Sequence, residues 1–139
     1  MTYLICGPPG AGKTTYALKH MSPGDVIIDW DLLFAAISGQ PPHHNEANLN
    51  ELVGDTRDLL MESVFCTGYS GVRNTWVTLC AAKKETRDYW RNRFDAKVIL
   101  LKERISTCLV RLAKDPTRHD WQKWRPDVER WWKEFRANG

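Results

Sequence analysis

The stretch LICGPPGAGKTT, residues 4–15, constrains the fold of this chain more than any other. A short apolar run of strand formers, residues 2–6, stops at Gly7-Pro8-Pro9-Gly10. Gly7, Gly12, Lys13 and Thr14 then stand at the spacing G-x-x-x-x-G-K-T, and a helical pattern follows. Gly10 and Gly12 permit backbone angles and close approach that a side chain would block. A cradle for phosphate is therefore expected over Gly7, Pro8, Pro9, Gly10, Ala11, Gly12, Lys13, Thr14 and Thr15. Its N–H groups would aim at phosphate oxygens beside the positive end of the next helix. Lys13 offers a point charge to the outer phosphates, and the Thr14 hydroxyl offers a ligand to Mg²⁺. The motif implies a nucleoside triphosphate, with ATP as the default because no guanine-specific motif is present.

The rest of the chain alternates strand and helix patterns. Strands are expected at 26–28, 75–80 and 97–101. Helices are expected at 13–21, 32–37, from 49 to about 64, 83–94, 103–113 and after Pro126. Ile105, Cys108, Leu109 and Leu112 keep helical spacing, as do Val128, Trp131, Trp132 and Phe135. Strands separated by helices predict an α/β fold: a small, mainly parallel sheet of about four to five strands, with helices on both faces and a C-terminal helical lid. At 42% apolar residues and without repeat or linker, residues 1–139 read as one domain. The polar, Pro-rich segment SGQPPHHN, residues 38–45, is the best candidate for a mobile loop.

Ligands of open parallel sheets sit beyond the C-terminal strand ends. Asp29 and Asp31 lie there, after the second strand. Either could take a proton from an attacking hydroxyl, or help hold Mg²⁺ through water. Asp31 could instead be the N-cap of the next helix, and Asp29 a structural acid at the strand end.

GPPGAGKTT, a strand, D-x-D, a strand, a charged helix, a strand and an arginine-bearing helical segment together resemble the small P-loop kinases. The nearest branch is the polynucleotide-kinase-like group, including short stand-alone phage members described only as AAA ATPases. The resemblance covers nearly the whole chain, and the phosphate loop is its only specific motif. It implies an ATP-dependent kinase or ATPase with Mg²⁺, acting on a nucleotide or nucleic-acid end. It puts the phosphate-binding pair on Lys13 and Thr14, and the general base on Asp31 or less readily Asp29. A lid arginine falls among Arg104, Arg111, Arg118 and Arg125; Arg111 lies off the apolar stripe of its helix and Arg118 in the turn between helices. Three features depart from the pattern, one being that residues 38–73, which should help form the acceptor pocket, carry no motif of the family. No arginine follows Asp31, where Leu32-Leu33-Phe34 stand, and the third strand ends in Leu79-Cys80-Ala81-Ala82 without an acid. Mg²⁺ would then rest on Thr14, phosphates, water and Asp29.

Charge is uneven. Residues 1–72 hold three bases against eight acids, and residues 73–139 hold seventeen against nine. The basic half fits a polyanionic ligand, with Arg87, Arg91, Arg93, Lys83 and Lys84 as a patch that could track a phosphate backbone or simply face solvent. His43-His44 could bind a metal or phosphate, though paired loop histidines usually face solvent. Trp121 and Trp124 could stack a base or pack the last helix. Cys6, Cys66, Cys80 and Cys108 lack metal-site spacing and read as reduced core residues of a cytoplasmic protein, in the host cytoplasm if phage-encoded. No apolar run approaches the roughly 20 residues of a membrane helix, and the start lacks a signal-peptide pattern. Oligomeric state is not encoded in any of these features.

Overall fold

Parallel pairing places the first strand in the middle of the sheet. The computed structural model describes residues 1–139, apart from the side chain of Thr67. Among the described residues there are four strands: β1 (Thr2–Cys6), β2 (Val26–Ile28), β3 (Thr75–Leu79) and β4 (Lys97–Leu100). Their order is β2-β3-β1-β4, all neighbours parallel, with Leu4 opposite both Val77 and Val98. The helices are α1 (Lys13–His20), α2 (Trp30–Ser38), α3 (Asn50–Thr67), α4 (Lys84–Arg93), α5 (Ile105–Lys114) and α6 (Arg125–Asn138). Short 3-10 turns precede α3 and α6.

Strand alternation sorts the side chains onto two faces. Leu4, Cys6, Ile28 and Val77 meet Met61 of α3 and Phe94 beside α4 on one face. Ile5 and Trp76 meet Ala17 of α1 on the other, with Tyr3 stacked on Trp76 at 4.3 Å. Both faces are covered, which is why the strands read as continuous apolar runs.

A third cluster joins the C-terminal segment to the phosphate loop. Ala11 packs with Cys108 and Leu112 of α5 and Val128 of α6, backed by Trp121, Trp124 and Trp132. The approach is close: a Cβ on Gly10 would lie 2.7 Å from the Cys108 carbonyl oxygen, and Gly10 has φ of 78°. Only glycine satisfies both conditions. The helical segment expected after β4 is therefore seated on the loop through α5.

Several sequence expectations are corrected here. Cys6 and Cys108 are buried, but Cys66 and Cys80 are exposed. Burial pushes the Cys6 thiol up to about 11. The basic patch on the fourth helix does not form as expected. Arg87 points inward and donates to the carbonyls of Ala81, Ala82 and Gly139, because the last helix packs over that side of α4. Arg93 pairs with Glu62 at 2.7 Å, while Arg91 and Lys84 share Asp88. Trp121 and Trp124 pack against α5 and α6, and Trp131 is buried as its stripe required.

Leu112 is 1% exposed and touches the loop at Gly10. Leu112→Ala should cost about 2–5 kcal/mol, read from urea unfolding.

Candidate active site

The phosphate loop runs from the end of β1 into the first turn of α1. Gly12 is the N-cap of α1 with φ of 85°, and it places the following amides around the loop's concavity. Lys13 lies back across the loop, its Nζ donating to the carbonyls of Gly7 at 2.9 Å and Pro8 at 2.8 Å. Incoming phosphate oxygens would compete with those carbonyls for the same ammonium.

Thr14 faces the end of β2. Its Oγ1 donates to Asp29 Oδ2 at 2.6 Å. The Thr78 hydroxyl of β3 donates to the same oxygen at 2.7 Å, and the Leu32 amide donates to Asp29 Oδ1 at 3.0 Å. The N-cap of α2 is therefore Asp29, so the alternative reading of Asp31 as the cap does not hold. β2 ends at Ile28 as expected, but α2 begins at Trp30 instead of residue 32, so the turn into helix falls on Asp29. Asp29 is 4% exposed and holds three donors. A hydroxyl that gives its proton to a carboxylate keeps its lone pairs free, so the donor set suits a hard cation held by Thr14, with Asp29 behind it.

Asp31 sits two residues further on, in the first turn of α2. Its Oδ1 accepts from Asn45 at 2.8 Å, and its Oδ2 lies 3.4 Å from His43 Nε2. Burial pushes its carboxyl up, but the bonds from His43 and Asn45 and the charges of His43 and Arg118 outweigh it and hold the carboxyl below the usual range. Asp115, in the turn after α5, is held low against burial in the same way, by two bonds from Thr117 and by the charges of His43 and Arg118.

The four arginine candidates separate cleanly. Arg111 and Arg118 line one cavity with the phosphate loop, Asp29 and Asp31, while Arg104 and Arg125 do not. Arg111 donates to the Ala11 carbonyl at 3.1 Å and lies 3.7 Å from Glu103. Arg118 has an 11% exposed side chain, bonds Asp115 at 3.3 Å and lies 4.5 Å from the centre of the Trp124 ring. Burial pulls its guanidinium below the ordinary value, opposed by Asp31 and Asp115. Its Nη1 is buried without a hydrogen-bond partner. The cavity measures about 1120 Å³.

Three participants were not singled out in the sequence. Thr78 is one; Ile28 pairs with Val77, so Asp29 and Thr78 follow side by side once β2 and β3 are known to be neighbours. Trp30 and Arg57 are the others, both on the cavity wall, with Arg57 stacked 5.3 Å from the Trp30 ring centre. This cation stands near the acids although none follows Asp31 in sequence. His43 is not solvent-facing: its side chain is 15% exposed and bound on both sides. Among the described residues no helix is long and apolar enough to cross a membrane.

Residues 3–114 match the AAA domain family, and the chain belongs to it. Among solved structures it is similar to a chain of the Pnkp1/Rnl/Hen1 RNA repair complex, with a TM-score of 0.60 at 13% identity. The match covers 96% of this chain and 46% of that one, so the protein spans about half the length of its structural neighbour. That likeness shows a shared α/β fold with a parallel sheet. No curated protein matches the chain in sequence.

Two predictions follow the geometry. Thr78→Val removes one of the Asp29 donors and should cost about 0.5–1.5 kcal/mol, whereas Asp29→Ala should cost about 1–3 kcal/mol. Their sum should exceed the double variant in urea unfolding, since both act through one carboxylate. Asp31 and Asp115 have folded values below the ordinary 3.8. Their contribution is therefore complete above that value and lost as pH falls through the depressed ones. Asp31→Asn should melt earlier than wild type near neutral pH and lose less Tm between about pH 5 and 2.

Proposed function

We propose that this AAA domain chain is a Mg-ATP-dependent phosphotransferase whose acceptor is a hydroxyl of a nucleotide or of a nucleic-acid end. The observation that carries the reading is a single cavity that unites the phosphate loop, the Asp31 carboxylate in the first turn of α2 and two arginines. At about 1120 Å³ it exceeds the upper range of ordinary single-ligand pockets, roughly 1,000 Å³, and has room for donor and acceptor together. The RNA repair complex that holds the similar chain supports a nucleic-acid end as acceptor.

In this reading Lys13 and the amides of residues 7–15 hold the phosphates. Thr14, backed by Asp29, holds Mg²⁺, which when bound neutralises phosphate charge. Asp31 accepts the proton of the acceptor hydroxyl as its oxygen bonds to the γ-phosphorus and the bond to the β-phosphate oxygen breaks. Arg118 and Arg111 stabilise charge on the phosphoryl group in flight. The unpartnered Nη1 makes Arg118 the stronger clamp. Arg57 on its Trp30 platform supplies the cation on the acceptor side. Residues 1–139 act here as one nucleotide-binding unit.

A second reading is a nucleotide-binding or slowly hydrolysing module that acts through a protein or DNA partner. The end of β3 favours it, since Leu79-Cys80-Ala81-Ala82 brings no acid to the phosphates. Labelled ATP offered with 5′-hydroxyl oligonucleotides and with nucleotides separates the two. Transfer should fall about 10²–10⁴-fold in Asp31→Ala while nucleotide binding survives. Lys13→Ala should lose binding itself. Full transfer by Asp31→Ala would remove the base assignment. ADP release with no phosphorylated product would select the second reading.

A further inference from the structure

We infer that His43 is a positioning residue: it clasps the loop between α2 and α3 to the turn after α5, and thereby holds Asp31 and Arg118 in one frame. The inference rests on Asp31 being the proton acceptor of the proposed reaction.

The HH pair is the sequence feature that the nucleotide site alone leaves unused. His43 follows two prolines and has φ of 68°, a left-handed angle that a side chain adopts at a cost. The contacts of its ring offset that cost. Nε2 faces Asp31 Oδ2 at 3.4 Å, and Nδ1 lies 2.7 Å from the Thr117 hydroxyl and 3.9 Å from Asp115 Oδ2. Thr117 is 74 positions further along the chain. The ring therefore spans the two segments, which His44 and His119 also bring together edge-on at 5.8 Å.

Hydrogen-bond bookkeeping gives the clasp a direction. The Asp31 carboxylate can only accept, so Nε2 carries the proton towards it. Thr117 Oγ1 lies 2.6 Å from Asp115 Oδ1 and 2.7 Å from the ring. In a neutral ring the hydroxyl donates to Nδ1; in a charged ring Nδ1 donates to the hydroxyl, which donates to Asp115. Both arrangements leave the bond to Asp31 in place. Asn45 from the same loop holds the other Asp31 oxygen.

Packing carries the coupling on to the arginine. Trp124 meets the His43 ring edge-on at 6.2 Å, and the Arg118 guanidinium lies on Trp124. Asp115 anchors Arg118 and also Thr117. Moving His43 thus disturbs the carboxylate and the clamp together. A misplacement of about 1 Å at such groups costs about 10²-fold in rate.

The test uses His43→Ala, His43→Gln and His43→Asn in the full chain. The first readout needs no acceptor. Hydrogen exchange in His43→Ala should quicken at least tenfold in residues 39–46 and in 115–118 at once. Release of the first segment with 115–118 unchanged would overturn the clasp. The second readout is transfer from labelled ATP to a 5′-hydroxyl oligonucleotide. His43→Ala should lower kcat 10- to 100-fold with unchanged ATP binding. Gln keeps a donor near the Nε2 position and Asn one near Nδ1, so Gln should recover more rate than Asn. Unchanged kcat in His43→Ala beside an inactive Asp31→Asn overturns the positioning role and leaves the base in place. Full transfer by Asp31→Asn overturns the base reading and the positioning role with it.

Discussion

One buried carboxylate ties the working parts of this protein together. Asp29 accepts from the phosphate-loop threonine, from a hydroxyl on β3 and from an amide at the start of α2. A carboxylate with so little exposure is stable only when its oxygens are satisfied, and here every donor comes from a different element. The spacing of β1, β2 and β3 is thus reported directly to the place where the outer phosphates would sit. β3 ends without an acid, and its Thr78 hydroxyl instead donates to the carboxylate that follows the neighbouring strand.

Local features were legible in the sequence. β1, the loop and α1 are encoded within about fifteen residues, so the glycine pattern and the strand run before it were enough. The strand and helix alternation predicted the parallel sheet for the same reason. The cap fell on Asp29 rather than Asp31 because α2 begins at Trp30, two residues before the apolar run that marked it in sequence, and periodicity does not fix a helix start so closely. Arg87 was misread because it also reaches Gly139, 52 positions away, and because turning it onto the nearby Ala81 and Ala82 carbonyls depends on the last helix packing there. His43 was misjudged because its second partner, Thr117, lies 74 positions further along the chain.

The arginines show how structure narrows a choice that composition leaves open. Four candidates occupied the segment after β4, and each could equally have faced solvent. α5 is seated on the loop through Cys108 and Leu112, and this seating turns Arg111 towards Ala11. The turn that follows is folded back by Asp115, which brings Arg118 against Trp124. Arg104 begins α5 and Arg125 begins α6, outside the cavity wall.

The central position of β1 has a consequence for how the chain acquires its shape. Thr2 pairs with Thr75, and the other edge of the strand pairs with residues from Lys97 onward. Pairings so distant along the chain are slow, because the loop between them must close before any contact rewards it. During synthesis the first strand is made early and waits unpaired until its neighbours emerge. The phosphate cradle hangs from the end of that strand and closes against α5, so a segment translated before its partners is among the last to reach its native form.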